Sequence, residues 1–337
     1  MLIIGCDFHP SFEQVSIFDN RNNREWNLRL DHPEAARQFY QGLRGEEVLV
    51  GMEASGFSHW FEQLLGECGH QLWIGDAAQI RASYVRRQKT DRRDAGHLLR
   101  LLREGRFPRI WVPSPAERDV RQLLVHRGKR VRMQTQIKNQ LQALALNQGV
   151  QRRHKLWTAA GRQQLQQLEL APWAARRRDE LLANLDELQR QIAALDEAVE
   201  QEGARRPEVM RLRTQKGVGP VTALATVLTL GPVERFPSAR QVASYVGLTP
   251  REHSSGGKQR LGHISKQGSP FLRGLLVEAA QSAARHDAEL RRCYLRLAMR
   301  KGKALAKVAV ARKLLVKMYW MLRRGCEAAQ LPGSSCR

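Results

Sequence analysis

Leu2-Ile3-Ile4-Gly5-Cys6-Asp7 is a short apolar run closed by a carboxylate, and it reads as a buried strand. Val48-Leu49-Val50-Gly51-Met52-Glu53 repeats that pattern. Between the two, Val15-Ser16-Ile17-Phe18 and Trp26-Asn27-Leu28 stand at hairpin spacing around a turn-rich 19–23. A helix is expected over 33–43, capped by Asp31 or His32, and a second, amphipathic one over 57–68. Leu72-Trp73-Ile74 is a further strand. Three strands followed by helix–strand–helix–strand predict an α/β domain of the ribonuclease-H type.

From Asp94 onward the pattern is helical. Apolar residues three and four apart mark helices over 95–104 and 116–147, with Pro108, Pro113 and Pro115 between them. In 179–202, Leu181, Leu185, Leu188, Ile192, Leu195 and Val199 alternate steps of four and three. That a/d seam predicts a short coiled-coil hairpin or a dimer contact. Residues 203–207 look like a linker, 250–268 like a loop, and 287–324 like one long helix studded with Arg and Lys. The expected division is a catalytic α/β domain with trailing helices (1–150), a helical coiled-coil segment (151–202) and a mainly α-helical C-terminal domain (203–337).

The chain has 56 Lys and Arg against 33 Asp and Glu, net +23, a surplus that suits nucleic acid first and an anionic membrane second. The charge is uneven: residues 1–80 carry −7 and residues 203–337 carry +19. An acidic head on a basic body suggests carboxylates that hold cations for chemistry on phosphates. No apolar run approaches the roughly 20 residues that span a bilayer. The N-terminus lacks the basic and apolar regions of a signal peptide. Five cysteines without CxxC spacing argue for reduced thiols, so a soluble cytoplasmic protein without a zinc site is expected.

Asp7 and Glu53 end apolar strands, and Asp91 and Asp94 open a helix in KTDRRDA (89–95) at a spacing that shares one face. Four hard oxygen donors can hold one or two Mg²⁺ ions, which assist phosphodiester displacement. In Lys216-Gly217-Val218-Gly219-Pro220 a glycine turn opens a helix. It is either a helix-hairpin-helix-like grip on a phosphate backbone or a tight turn between packed helices. The loop around Ser255 carries Arg251, Lys258, Arg260 and Lys266, which could neutralise phosphate. By residue logic alone it is better read as a flexible polar loop than as a nucleophile site, since only His253 offers a base.

These pieces, in order, resemble the DEDD-type insertion-sequence transposases of insertion-sequence family one hundred and ten. The resemblance is carried by GCDFHPSFEQVSIFD (5–19), GMEASGFSHW (51–60), KTDRRDAGHLL (89–99), QKGVGPVTALA (215–225) and VASYVGLTPREHSSGGKQRLGHISKQGSPFLRGLL (242–276). It implies a RuvC-like N-terminal domain with Asp7, Glu53, Asp91 and Asp94 as a metal-binding tetrad. It also implies a nucleophilic serine in the C-terminal domain, Ser255 or its neighbour Ser254, and guidance by a structured bridge RNA. Two positions depart from the family pattern: Cys6 in place of an aliphatic residue, and His9-Pro10 in place of small and basic ones. The expectation is a Mg²⁺-dependent recombinase acting on double-stranded DNA as a dimer or tetramer, with no membrane partner. Alternatives are a junction nuclease of the same fold that uses water, and a non-catalytic nucleic-acid-binding protein.

Overall fold

In this computed structural model the described residues are 1–84, 90–151, 155–252 and 260–331. The chain divides into two units, Met1–Val112 and Pro113–Arg337. The helix after Pro113 packs within the second unit.

The first unit runs β1 (Leu2–Phe8), β2 (Phe12–Asp19), β3 (Arg24–Asp31), α1 (Glu34–Gly42), β4 (Val48–Glu53), α2 (His59–Glu67), β5 (Gln71–Gly75), α3 (Ala77–Ala82) and α4 (Asp91–Arg103). Its sheet has the order β3-β2-β1-β4-β5. β1, β2 and β3 pair antiparallel, while β4 joins β1, and β5 joins β4, in parallel. The five strands, α1, α2 and α4 come in the order read from the sequence, and the short α3, capped by Asp76, is added to them.

Side chains alternate across a strand, and here the alternation sorts the sheet into two faces. Leu2, Ile4 and Cys6 of β1, with Val48, Val50 and Met52 of β4, pack on Tyr40 of α1 and on Phe61, Leu64 and Leu65 of α2. The other set, Ile3, Gly5 and Asp7 with Leu49, Gly51 and Glu53, therefore faces α4, where Ile3 packs with Leu98, Leu99 and Leu102. Gly5 and Gly51 are register partners. A Cβ on Gly5 would lie 2.3 Å from both the Ala95 carbonyl oxygen and the Leu99 nitrogen. A Cβ on Gly51 would lie 2.7 Å from the Leu102 side chain. Gly5 lets the backbone of α4 rest on the sheet, and Gly51 makes room for the Leu102 side chain.

The second unit is mainly helical: α5 (Pro115–Asn147), α6 (Ala159–Gln166), α7 (Pro172–Ala204), α8 (Pro207–Arg213), α9 (Pro220–Leu230), α10 (Ala239–Tyr245), β6 (Pro250–Glu252), β7 (Leu261–Ile264), α11 (Pro270–His286), α12 (Ala288–Lys301) and α13 (Lys303–Arg324). α5 and α7 run antiparallel. Leu141 packs with Leu182 and Leu185 at one end, and Arg127 binds Asp196 through Nε at 2.6 Å towards the other. Leu185, Leu188 and Val199 of the predicted seam are buried, and Leu181, Ile192 and Leu195 are partly so. Much of the seam is thus taken up within the chain. The long helix expected over 287–324 is two helices, because Gly302 adopts φ +82°, a left-handed turn that an α-helix cannot contain. The loop expected over 250–268 contains the antiparallel pair β6–β7, with Pro250 opposite Ile264 and Glu252 opposite Leu261.

Candidate metal centre

Asp7 and Glu53 lie at the carboxyl ends of neighbouring parallel strands, each two residues beyond a glycine that touches α4. α4 begins at Asp91, capped by Thr90, whose hydroxyl accepts from the Arg93 backbone N–H at 3.4 Å. The close seat of α4 on the sheet carries its first turn to the Asp7 end of β1. Asp7, His9 and Asp91 each present a ligand atom within 4.8 Å of the others. His9 Nε2 lies 3.2 Å from Asp7 Oδ2 and 3.7 Å from Asp91 Oδ1. The Asp91 side chain is 48% exposed, whereas Asp94, one turn on, is 5% exposed and accepts a 2.7 Å hydrogen bond from the Tyr84 hydroxyl.

Electrostatics ties the remaining acids to this cluster. Burial raises the Asp7 carboxyl above its ordinary range; His9 pulls it down, and the nearby Asp94 and Asp91 push it up. The Tyr84 hydroxyl is raised well above its ordinary value by burial, by its bond to Asp94, and by the charges of Asp94, Asp7 and Glu53. Tyr84 also stacks on His97 at 4.1 Å, and His97 Nε2 meets Ser83 Oγ at 2.8 Å. These carboxylates stand close enough to bear on one another's ionisation. A hard divalent cation fits this donor set of carboxylate oxygens with an adjacent imidazole.

Of the four acids named from sequence, Asp7 and Asp91 come together with His9, whereas among the described residues Asp94 and Glu53 do not join that group of ligand atoms and bear on it only through their charges. His9 stands out in the sequence only as a departure from the family pattern, not as a ligand, and Tyr84 not at all. An i, i+2 relation to Asp7 was the available signal for His9; Tyr84 stands in no recognisable pattern.

Among the C-terminal candidates, Ser254, Ser255 and Lys258 lie outside the described residues, as does His253. Arg251, Arg260 and Lys266 are exposed around β6 and β7, and Arg251 donates to the Ser265 carbonyl at 3.4 Å. Lys216 is exposed. Gly217 has φ +86°, and a Cβ there would lie 2.4 Å from the Ala283 nitrogen, so this glycine is needed for packing on α11. Gly219 has open space around it and precedes α9, whose first N–H groups have no side-chain cap.

Residues 4–149 match a transposase family of DEDD type, and residues 209–295 match the family described as Transposase IS116/IS110/IS902. A probable family 20 transposase of Pseudomonas aeruginosa is 30% identical over 98% of both chains. The chain belongs to the IS110 family of transposases. The transposase for insertion sequence element IS1111A of Coxiella burnetii is 29% identical over 82% of this transposase and 78% of its own length. That for IS1328 of Yersinia enterocolitica is 27% identical over 69% and 70%. As a transposase the protein acts on DNA, and its DEDD-type domain points to a divalent metal. No helix among the described residues is long and apolar enough to cross a membrane.

Proposed function

We propose that this transposase excises and inserts its own insertion sequence in the cytoplasm, using Mg²⁺ held by Asp7, Glu53, Asp91 and Asp94 and a nucleophilic Ser255. The approach of Asp7, His9 and Asp91 ligand atoms to within 4.8 Å of one another carries the metal half of this reading, with Asp94 on the same first turn of α4 as Asp91. The cation would supply charge neutralisation at the phosphate and at the leaving oxygen. Ser255 Oγ attacks the phosphorus, so that an Oγ–P bond forms while the P–O bond to the neighbouring nucleotide breaks. The hydroxyl proton passes to a base, and the departing oxygen gains a proton. The phosphoserine link conserves the bond energy for rejoining. The family likeness over 242–276 supports the serine assignment, because the residues around Ser255 alone do not demand it.

Residues 1–150, close to the 4–149 family match, are assigned as the RuvC-like catalytic domain, 151–202 as a coiled-coil segment, and 203–337 as the serine-bearing domain. Lys216, Gly217, Gly219, Arg251, Lys258, Arg260 and Lys266 are assigned to phosphate contacts in the +19 C-terminal region. A structured bridge RNA would choose the DNA by base pairing, leaving the protein to read backbone and shape. Catalytic halves from different subunits would meet in a dimer or tetramer.

The test incubates purified protein and its co-expressed RNA with labelled duplex carrying the element junction, in Mg²⁺. Label attached to wild-type protein and absent with Ser255→Ala supports the serine mechanism. Strand cutting with no adduct in either protein replaces it with attack by water.

A further inference from the structure

The antiparallel pair β6–β7 buries little and is held firmly at its base. Arg251, Glu252, Leu261, Gly262 and His263 are exposed, and Ile264 is half-buried against the core of the second unit. Below the pair, two passes of chain meet backbone to backbone. Thr249 O accepts from the Ser265 N–H at 2.8 Å, and Gly247 O from the Lys266 N–H at 3.3 Å. Gly247 and Gly268 have left-handed φ of +77° and +67°. A Cβ on Gly247 would lie 2.2 Å from the Gln267 oxygen, and one on Gly268 2.1 Å from the Tyr245 oxygen. Arg273, on α11, reaches across this joint. Its Nη1 donates to Val246 O at 3.1 Å ahead of β6, and to Gln267 O and to Gly268 O (3.3 Å) after β7.

We propose that Arg273 is a positioning residue for strand transfer: it clamps the base of the β6–β7 hairpin and so aims the segment connecting the two strands, where Ser255 lies in the sequence. This rests on the reading of Ser255 as the nucleophile.

The balance of cost and return separates aiming from mere packing. Lys266 adopts φ +58°, a conformation that a residue with a side chain keeps only when its surroundings dictate it. The hairpin returns little for that constraint, because Ile264 alone of the residues in β7 packs on the core. Strain retained where burial does not demand it is characteristic of places where geometry serves reacting groups. The clamp also stands on a rigid mount. α11 is capped by Ser269, whose Oγ accepts from the Leu272 N–H at 3.2 Å, and Leu272 and Leu276 anchor it in the core. A site supported from a helix is held more closely than one supported from a loop. A charged donor shared by carbonyls on both sides of the hairpin resists opening at either side, since charge-assisted bonds are about twice as strong as neutral ones. Because Nη1 turns onto main-chain oxygens, its loss should not register as the loss of a phosphate contact.

The experiment uses the full-length protein with its co-expressed RNA and labelled junction duplex, in Mg²⁺. It compares wild type with Arg273→Ala, Arg273→Lys and Arg44→Ala, the last removing an exposed guanidinium after α1. Single-turnover adduct formation, duplex affinity across a salt series, and hydrogen exchange at the Ser265 and Lys266 amides are measured. Arg273→Ala is expected to form adduct about a hundredfold more slowly. Its duplex affinity stays within about twofold and its salt slope is unchanged, whereas a lost phosphate contact would lower that slope by about 1. The two amides exchange about tenfold faster while those of α11 stay protected. Guanidinium ion below denaturing concentration restores part of the rate in Arg273→Ala and does nothing for Arg44→Ala, which behaves as wild type. A wild-type adduct rate in Arg273→Ala overturns the proposal, as does a rate lost in proportion to duplex affinity. If Arg273→Ala does not fold, Arg273→Lys decides. Its shorter side chain is expected to slow the adduct about tenfold, and a wild-type rate overturns the proposal. Absence of any adduct from wild type refutes the serine reading itself, and the clamp falls with it.

Discussion

Replacing Gly5 by alanine tests the physical basis of the metal centre more directly than removing any carboxylate. The added methyl would stand 2.3 Å from the Ala95 oxygen and the Leu99 nitrogen, both backbone atoms of a helix. Ordinary contact between such atoms is about 3.5 Å, so α4 must retreat by roughly 1 Å. Overpacking of this kind costs about 1–3 kcal/mol, and the absence of any flexible side chain to yield puts Gly5→Ala at the upper end. For a unit of this size that is a Tm lower by roughly 5–15 °C. The retreat also carries Asp91 and Asp94 away from Asp7, and a misplacement of about 1 Å can cost about a hundredfold in rate. Thermal unfolding with and without Mn²⁺, together with cutting of a labelled junction duplex, reads both effects. Gly96→Ala is the internal control: it lies on the same helix with room for the methyl, and is expected to be stabilising by about 0.5–1 kcal/mol. A Gly5→Ala protein as stable as wild type, with intact response to Mn²⁺, would refute the claim that α4 sits on the sheet because of that glycine.

Other expectations follow from the same geometry. Asp7→Asn removes one of several crowded, half-buried negative charges, so the metal-free variant should unfold at a temperature equal to or above wild type. Its stabilisation by Mn²⁺, about 2.7 kcal/mol for wild type at a hundredfold excess over Kd, should vanish. Asp287 caps α12 and accepts from Gln215 and from Lys317, each at 3.1 Å. Burial pushes its carboxyl up, but the bonds from Gln215, the Leu290 N–H and Lys317 outweigh it and hold the carboxyl below its ordinary value. Its folded pKa thus lies below the unfolded one, near 3.9, and its contribution is complete above that pH and lost as pH falls through the folded value. Asp287→Ala should cost about 2 kcal/mol at pH 7 in a urea titration, with the gap from wild type closing below about pH 4. Gly217→Ala should lower Tm without changing the salt dependence of DNA binding, whereas Lys216→Ala should leave Tm unchanged and reduce the salt slope by about 1. The reverse pattern would make the turn a phosphate grip first and a packing element second.

The sheet was legible because its strands are dense in β-branched and apolar residues bounded by turn formers, and because their alternation assigns Asp7 and Glu53 to one face. The apolar spacing of α4 begins only at Ala95, because its first turn is polar; its start is marked instead by the Asp91–Asp94 pair and set by the Thr90 cap. The break at Gly302 was missed because the apolar spacing of Leu290, Leu297 and Leu305 runs on past it and disguises a change of direction. β6 and β7 were missed because Pro250–Glu252 and Leu261–Ile264 are short and mostly exposed, leaving no apolar alternation to read. The four acids could be named by their positions at element ends. Tyr84 could not, because its bond to Asp94 depends on how α3 and α4 approach each other. The role of Ser255 came from family likeness, not from any local property of its neighbours.

The acidic cluster joins the end of the first strand to the first turn of the last helix of its unit, and that helix is held on the sheet by Leu98, Leu99 and Leu102. A ribosome must therefore release the chain well past Arg103 before these carboxylates can meet. Until then the nascent polypeptide carries these carboxylates far apart in space. Whatever prises α4 from the sheet parts Asp91 from Asp7 and His9. Leu98, Leu99 and Leu102, which carry no charge themselves, thereby decide whether the acidic groups meet.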